Sequence, residues 1–368
     1  MPINEKEIRS ELKKFSFPRL SGTEGEEKAS DEIIKRIKNV NQEPMVQEFN
    51  YSSFYSDWYP KIFALTLFFV ALFLFMKSYL VVVLFSLLIL FLYVIKRRNV
   101  KINENLKSKN VYVKLNNNAK SNVILISHLD SKGESMTIRA RIIFTWIFIF
   151  AFAFSILFHV LFLTLSNNVF GLFELILLFV LLYVSVSFLI NLKNNKTCGS
   201  LDNASGIVCV LNALKYFSEK PLERFNLFFL FTGAAERGTR GIRYFYEKNH
   251  FFDGNNTFFI NFETIGKQIY LFSKGMFKEK YKDYVNYFKE NIDSFNKDLI
   301  TKIVSIGRSS DGYFLMRKKI NGMVFCDLKS FKYAHTEKDT IDKVSSKTLK
   351  NVCDAAIKFI ERVDKDRY

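Results

Sequence analysis

Four long blocks of the chain carry almost no polar residue: 62–76, 79–95, 142–165 and 169–192. The first two are separated only by Lys77 and Ser78. Each is near the lower limit for crossing a bilayer, about 17 residues. The last two are separated by the uncharged loop 166–168, and each is long enough to cross. Each pair reads as a helical hairpin, so four transmembrane helices in two hairpins are expected. A hairpin buried in a soluble protein would keep a polar face, and almost no polar position interrupts these blocks. Trp58 and Tyr59 stand where interfacial anchors belong.

The remaining chain alternates between helical and strand-like spacing. Residues 5–15 and 23–40 have helical spacing, the second with Ala29, Ile33, Ile34 and Ile37 on one face and a break at Pro18, Ser21 and Gly22 before it. Residues 1–50 lack an apolar core segment and do not read as a signal peptide. Strands are expected at 111–115, 123–127, 226–231, 257–262, 268–272 and 323–326. Helices are expected at 204–217, 238–250, 278–291 and 345–365, the last with a Ser N-cap. Strands alternating with helices predict a mixed, largely parallel sheet covered on both faces, an α/β domain. The soluble domain would comprise 1–57, 99–138 and 194–368, with hairpins at 58–98 and 139–193 inserted into it.

Composition agrees with a chain divided between membrane and a large core. Of 368 residues, 41 are Phe and 49% are hydrophobic. The formal net charge of +17 has a nucleic-acid reading, but no RRM, KH, zinc-finger or helix-turn-helix pattern supports it. Attraction to anionic lipid beside membrane helices explains it better. Lys96, Arg97, Arg98 and Lys101 follow the first hairpin; Arg139 and Arg141 precede the second, and Lys193 and Lys196 follow it. The tips carry only Lys77. Positive flanks and near-neutral tips place the open ends, and so the soluble segments, in the cytoplasm. His159 and Glu174 lie inside the second hairpin, Glu174 near enough to a helix end to reach the headgroups. Cys198, Cys209, Cys326 and Cys353 show no metal-type spacing and read as buried or incidental thiols.

Chemistry concentrates in a few short stretches: SHLD at 127–130, SLDN at 200–203, TGAAERG at 232–238, NFETIG at 261–266 and YAHTEKD at 333–339. His128 and Asp130 stand at the carboxyl end of a predicted strand, where α/β sheets place ligands. Two histidines and several carboxylates at strand ends and loops are zinc-ligand types. Two-metal hydrolases need such a set around a bridging carboxylate, with a base near the bridging water. Taken singly, each stretch has a plain alternative: an Asp-Asn before a helix is often a cap, and a single His is often a surface residue.

As an ordered set they resemble the zinc aminopeptidases of peptidase family M28, and SFPRLSGTEGEEKASDEIIKRI resembles that domain's opening. The resemblance implies His128, Asp202, Glu236, Glu263 and His335 as ligands to two Zn2+ ions, with Asp202 bridging. It implies Asp130 as the residue that orients His128, and Asp311 in SSDGYF as a residue near the substrate pocket. It also implies hydrolysis of N-terminal residues from a peptide substrate.

One position departs from the pattern. The family writes two adjacent glutamates before x-Gly, the first a general base and the second a ligand. Here alignment on Gly238 keeps Glu236 and puts Ala235 at the base position. Three explanations stay open: a silenced variant, a natural pseudoenzyme that keeps its metals, or a Glu236 that shifts to act as base. Retention of the other residues favours the first. The alternative function is a non-catalytic, metal-binding membrane scaffold on the same fold; an aminoacyl cyclase would also need the missing glutamate. The second hairpin joins two ligand-bearing segments, so the site is expected at the rim from which it departs, within reach of membrane-bound or apolar peptides.

Overall fold

The computed structural model describes residues 4–98, 100, 102–249, 252, 254–272, 303–304 and 310–365. The helix expected at 278–291, Lys101 and the His250 end of another expected helix lie outside these residues. Two units form. The first comprises Met1–Tyr51, Leu106–Gly133 and Asn194–Tyr368; the second comprises Ser52–Asn105 and Glu134–Lys193.

Among the described residues, the first unit is built on an eight-stranded sheet. Its strands are β1 (Met45–Tyr51), β2 (Leu106–Leu115), β3 (Ser121–His128), β4 (Phe225–Thr232), β5 (Thr257–Phe262), β6 (Tyr270–Phe272), β7 (Ile303–Val304) and β8 (Asn321–Cys326). Their order in the sheet is β1-β2-β4-β3-β5-β8-β6-β7. The pairs β4/β3, β3/β5, β5/β8 and β6/β7 are parallel; β1/β2, β2/β4 and β8/β6 are antiparallel. The mixed, largely parallel sheet expected from the alternation of elements is therefore present. β1 was not foreseen. Its sequence MVQEFNY leaves Met45 and Val46 exposed and buries only Phe49 and Tyr51, the mixed pattern of an edge strand.

Side-chain alternation divides the core in two. Val123, Leu125, Leu227, Phe229 and Phe231 face one layer, with helices Glu5–Phe15, Glu24–Asn39, Ser205–Glu219 and Ser346–Lys365. Ile124, Ile126, Phe228 and Leu230 face the other, with helices Arg240–Lys248 and Asp311–Arg317. Central strands buried on both faces explain the unbroken apolar runs VILI and NLFFLF. Many phenylalanines are thus core residues of this unit, including Phe229, Phe231, Phe259, Phe262 and Phe325.

The second unit is helical. Tyr79–Arg97, Ile138–Leu165 and Asn168–Leu189, of 19, 28 and 22 residues, are long and apolar enough to cross a membrane. Tyr59–Phe75 is equally apolar but has 17 residues. Ala64, Phe68, Ala71, Phe148, Ala151, Leu178 and Leu181 pack at the centre of this unit. Tyr79–Arg97 buries only Leu92 and leaves Leu80, Leu84, Leu87 and Phe91 exposed, a surface that lipid tolerates and water does not. Glu174 does not reach outward as expected. Its side chain is buried and meets His159 Nδ1 at 3.1 and 3.2 Å, because an inward pair costs less than a lone carboxylate among apolar helices.

Candidate metal centre

β3 ends at His128, and its parallel partners β4 and β5 end at Thr232 and Phe262. The loops leaving these carboxyl ends therefore share one rim of the sheet. They bring Asp130, Glu236 and Glu263 together with two groups from farther along the chain. Asp202 precedes helix Ser205–Glu219, and its peptide to Asn203 is cis. His335 lies on the segment after β8 with φ at +65°, the left-handed region that a side chain other than glycine rarely occupies.

Two donor trios result. His128, Asp202 and Glu263 form one; Asp202, Glu236 and His335 form the other, with the donor atoms of each trio within 4.8 Å of one another. Asp202 serves both. Its Oδ1 is 3.1 Å from His128 Nε2, and its Oδ2 is 3.3 Å from His335 Nε2. Glu263 Oε2 is 3.4 Å from His128 Nε2, and Glu236 Oε1 is 2.8 Å from His335 Nε2. Two imidazole nitrogens and three carboxylates converging in a buried pocket suit zinc. All five residues expected as ligands from the sequence lie in this cluster.

Asp130 contacts His128 chiefly through its main chain. The His128 Nδ1 contact is with the Asp130 backbone carbonyl at 2.9 Å, and the Asp130 carboxylate is 3.7 Å away. That carboxylate instead accepts the backbone N–H groups of Ala235 and Glu236, both at 3.0 Å. A carboxylate with two amide donors at this turn is better satisfied there than on one imidazole. Asp130 thus fixes the ring through its main chain and the Ala235–Glu236 turn through its side chain.

Asp311 is buried. It accepts a hydrogen bond from the Thr232 hydroxyl on Oδ2, while its Oδ1 has no hydrogen-bond partner among the described residues. Burial, then the charge of Glu263, pushes its carboxyl up to about 7.

Several supporting residues were not among the expected site residues. Asp339 accepts the N–H groups of Leu201 at 2.6 Å and Asp202 at 3.2 Å, holding the main chain of the shared ligand; burial pushes its carboxyl up to about 7. Asn203 donates to the Phe262 carbonyl at 2.7 Å and accepts from the Gly206 N–H. Asn261 donates to Glu263 Oε1 at 3.0 Å. The buried Arg19 guanidinium donates to the carbonyls of Phe15, Phe17, Leu129, Cys198 and Gly199, tying the N-terminal segment to both ligand-bearing loops. Lys132 places Nζ 2.9 Å from Glu236 Oε2. Asp339 closes the YAHTEKD stretch, Asn203 closes SLDN and Arg19 lies in the SFPRL opening, which could have flagged them; Lys132 offered no such cue.

The electrostatics favour ionised ligands. Burial and Glu236 would raise Asp202, but His128 and His335 outweigh them and hold its carboxyl at about 2. Burial would likewise raise Glu236, yet His335 and Lys132 hold it well below the usual carboxylate range. Burial would lower His128, and the carboxylates of Asp130, Asp202 and Glu263 instead raise it well above the ordinary histidine value.

A family model and solved structures match this chain. The model of peptidase family M28 matches residues 176–360. Among solved structures, an aminopeptidase from Aneurinibacillus sp. strain AM-1 is similar at a TM-score of 0.61 and 14% identity, over 98% of this chain and 94% of its own. BSAP, a zinc aminopeptidase from Bacillus subtilis, gives 0.60 at 12% identity, over 100% and 96%. A glutaminyl cyclase from Fimbriiglobus ruber gives 0.58 at 12% identity, over 98% and 96%. At these identities the likeness is one of fold. No curated protein matches the sequence.

Proposed function

The chain belongs to peptidase family M28, and from that premise we propose that it is a membrane-anchored, zinc-dependent aminopeptidase-like hydrolase whose general-base position is held by Ala235. The observation that carries this reading is Asp202, one carboxylate that faces a His-bearing trio with each oxygen. His128, Asp202 and Glu263 would hold an ion on one side of it; Asp202, Glu236 and His335 offer the second place. Bound zinc would supply a water acidified toward a pKa of about 7 and a Lewis acid for a carbonyl oxygen. The peptide substrate and the bilayer, with its anionic lipid, are the partners this reading requires.

The chain's own residues set the rest. Asp130 holds the N–H groups of Ala235 and Glu236, so the position of residue 235 is fixed by the main chain and not by its side chain. A methyl group there accepts no proton. Loss of a general base typically lowers the rate by about 10²–10⁴.

Zinc-dependent hydrolysis of an aminoacyl-fluorophore panel by this chain and by Ala235→Glu tests the proposal. The variant is expected to turn over faster by about 10²–10⁴. Ala235 itself favours a second reading, a metal-binding membrane scaffold without catalysis. If neither protein turns over while both retain zinc, the scaffold reading replaces the first.

A further inference from the structure

Lys132 follows Asp130 by two residues on the segment leaving β3, and only 6% of it is exposed. Its ammonium divides Glu236 with the imidazole of His335: Nζ is 2.9 Å from Oε2, and His335 Nε2 is 2.8 Å from Oε1. An ammonium is a compact, strongly charged cation. Here it sits on a carboxylate of the second trio, where a divalent ion would also draw its charge balance.

Counting charges gives this contact its meaning. The two trios share three carboxylates, Asp202, Glu236 and Glu263. One ammonium among them leaves two negative charges, which one divalent ion neutralises. Beside the ammonium a second divalent ion would leave the cluster at +2, against +1 where no ammonium stands, and like charges in a water-poor setting repel strongly. Ala235 acts in the same direction, since it is neutral where the family resemblance implies a carboxylate. Removing one negative charge and adding one positive charge shifts the centre by the charge of one divalent ion.

We propose that the Lys132 ammonium takes the place of the second divalent ion at the Asp202–Glu236–His335 trio, so that the protein carries a single resident metal held by His128, Asp202 and Glu263. The inference rests on the metal-site reading above and replaces the expectation of two zinc ions with one zinc and one ammonium. It also assigns Lys132 a positioning role: it fixes Glu236 beside His335.

The test is metal content. The full chain in detergent is stripped with a chelator, reloaded with zinc, freed of excess, and its zinc-to-sulfur ratio is measured by plasma mass spectrometry. About one equivalent per chain is expected for the native protein and about two for Lys132→Met. His335→Ala is expected to keep the single ion, and His128→Ala to lose it. Two equivalents in the native protein overturn the inference and leave the metal-site reading standing. None at all overturns both. A Lys132→Met protein that still holds one equivalent removes Lys132 as the cause. Should that variant fail to fold, Lys132→Gln replaces it. The contrast between the two histidine variants then decides independently: loss of the ion from His335→Ala alone, with retention in His128→Ala, would put the metal in the other trio and overturn the inference.

Discussion

Glu26 carries a carboxyl into the interior and holds it with three donors: the N–H of Gly22 at 2.8 Å, the hydroxyl of Ser108 at 2.8 Å and the N–H of Ala234 at 3.0 Å. The last is a contact between residues 208 positions apart. It pins a residue whose φ of +49° lies in the left-handed region, directly before the Ala235 position. Burial, then the charge of Asp130, pushes the Glu26 carboxyl from 4.5 up to about 8. Between these values the folded chain keeps a proton that the unfolded chain has released. Folding therefore binds protons in this window, and the contribution of Glu26 to stability falls as pH rises from about 4.5 to 8. In Glu26→Gln that term vanishes. The amide meets the Gly22 N–H donor to donor, so the variant is expected to be less stable throughout, but with a shallower fall of Tm between pH 5 and 8. Equal slopes for both proteins would show that Glu26 does not titrate in this range. This residue also marks a limit of sequence reading. His128, Asp202, Glu236, Glu263 and His335 were legible because each sits in a short stretch with a recognisable order. Glu26 and Lys132 act through contacts that only the folded chain creates; Glu26 lies in the stretch that resembles the family's opening, yet nothing in that stretch names Ser108 or Ala234 as its partners.

At the scale of elements, helix Ser205–Glu219 abuts the strand ends so closely that one residue must lack a side chain. A Cβ on Gly206 would lie 2.4 Å from Asn203 Oδ1, 2.6 Å from the Phe262 carbonyl oxygen and 2.8 Å from Ser127 Oγ. The carbonyl belongs to β5, a central strand that cannot yield. Gly206→Ala must therefore push the first turn away and drag Asn203 and Asp202 with it, costing about 1–3 kcal/mol and weakening zinc retention in competition with a chelating dye. Gly238 is the useful contrast. A Cβ there meets nothing within 4 Å, yet its φ is +98°, so Gly238→Ala costs backbone strain of about 1–2 kcal/mol. The two variants should lose similar stability, and only the first should lose zinc affinity. Equal zinc affinity in both would refute the packing argument. The helix itself, and the strands on either side, were legible from apolar spacing because they are buried. β1 was not, because an edge strand with four exposed or half-exposed leading residues has no clean period. The close approach at Gly206 was not legible either, since spacing along one element says nothing of the backbone packed against it.

At the scale of the whole chain, strand pairing constrains membrane topology. β1 and β2 pair residue by residue from Met45↔Tyr112 to Tyr51↔Leu106, and the entire first hairpin lies between them. β3 and β4 pair in register from Ser121↔Phe225 to His128↔Thr232, with the second hairpin between. Strands of one sheet lie on one side of a membrane, so each insertion crosses an even number of times. Tyr59–Phe75 cannot then be discounted for its 17 residues. Either it crosses together with Tyr79–Arg97 or neither does. At about 1.5 Å per residue it spans roughly 25 Å, slightly less than a hydrocarbon core of about 30 Å, a mismatch that local thinning absorbs at modest cost. We propose that both hairpins cross and that the sheet faces the cytoplasm, because Lys96, Arg97, Arg98, Arg139, Arg141 and Lys193 flank the open ends while Lys77 is the only charge at either tip. Cysteine accessibility in intact cells and inverted vesicles resolves each point separately. In a Cys198→Ser background the other three thiols are buried and stay silent to a membrane-impermeant maleimide. Lys215→Cys, on an exposed position of the sheet-bearing unit, is expected to label only in inverted vesicles. Ser78→Cys and Asn167→Cys, one at each tip, are expected to label only in intact cells. If Ser78→Cys labels together with Lys215→Cys while Asn167→Cys does not, the first hairpin lies on the membrane without crossing it. If all three exchange sides, the crossing number stands and the charge argument for orientation falls.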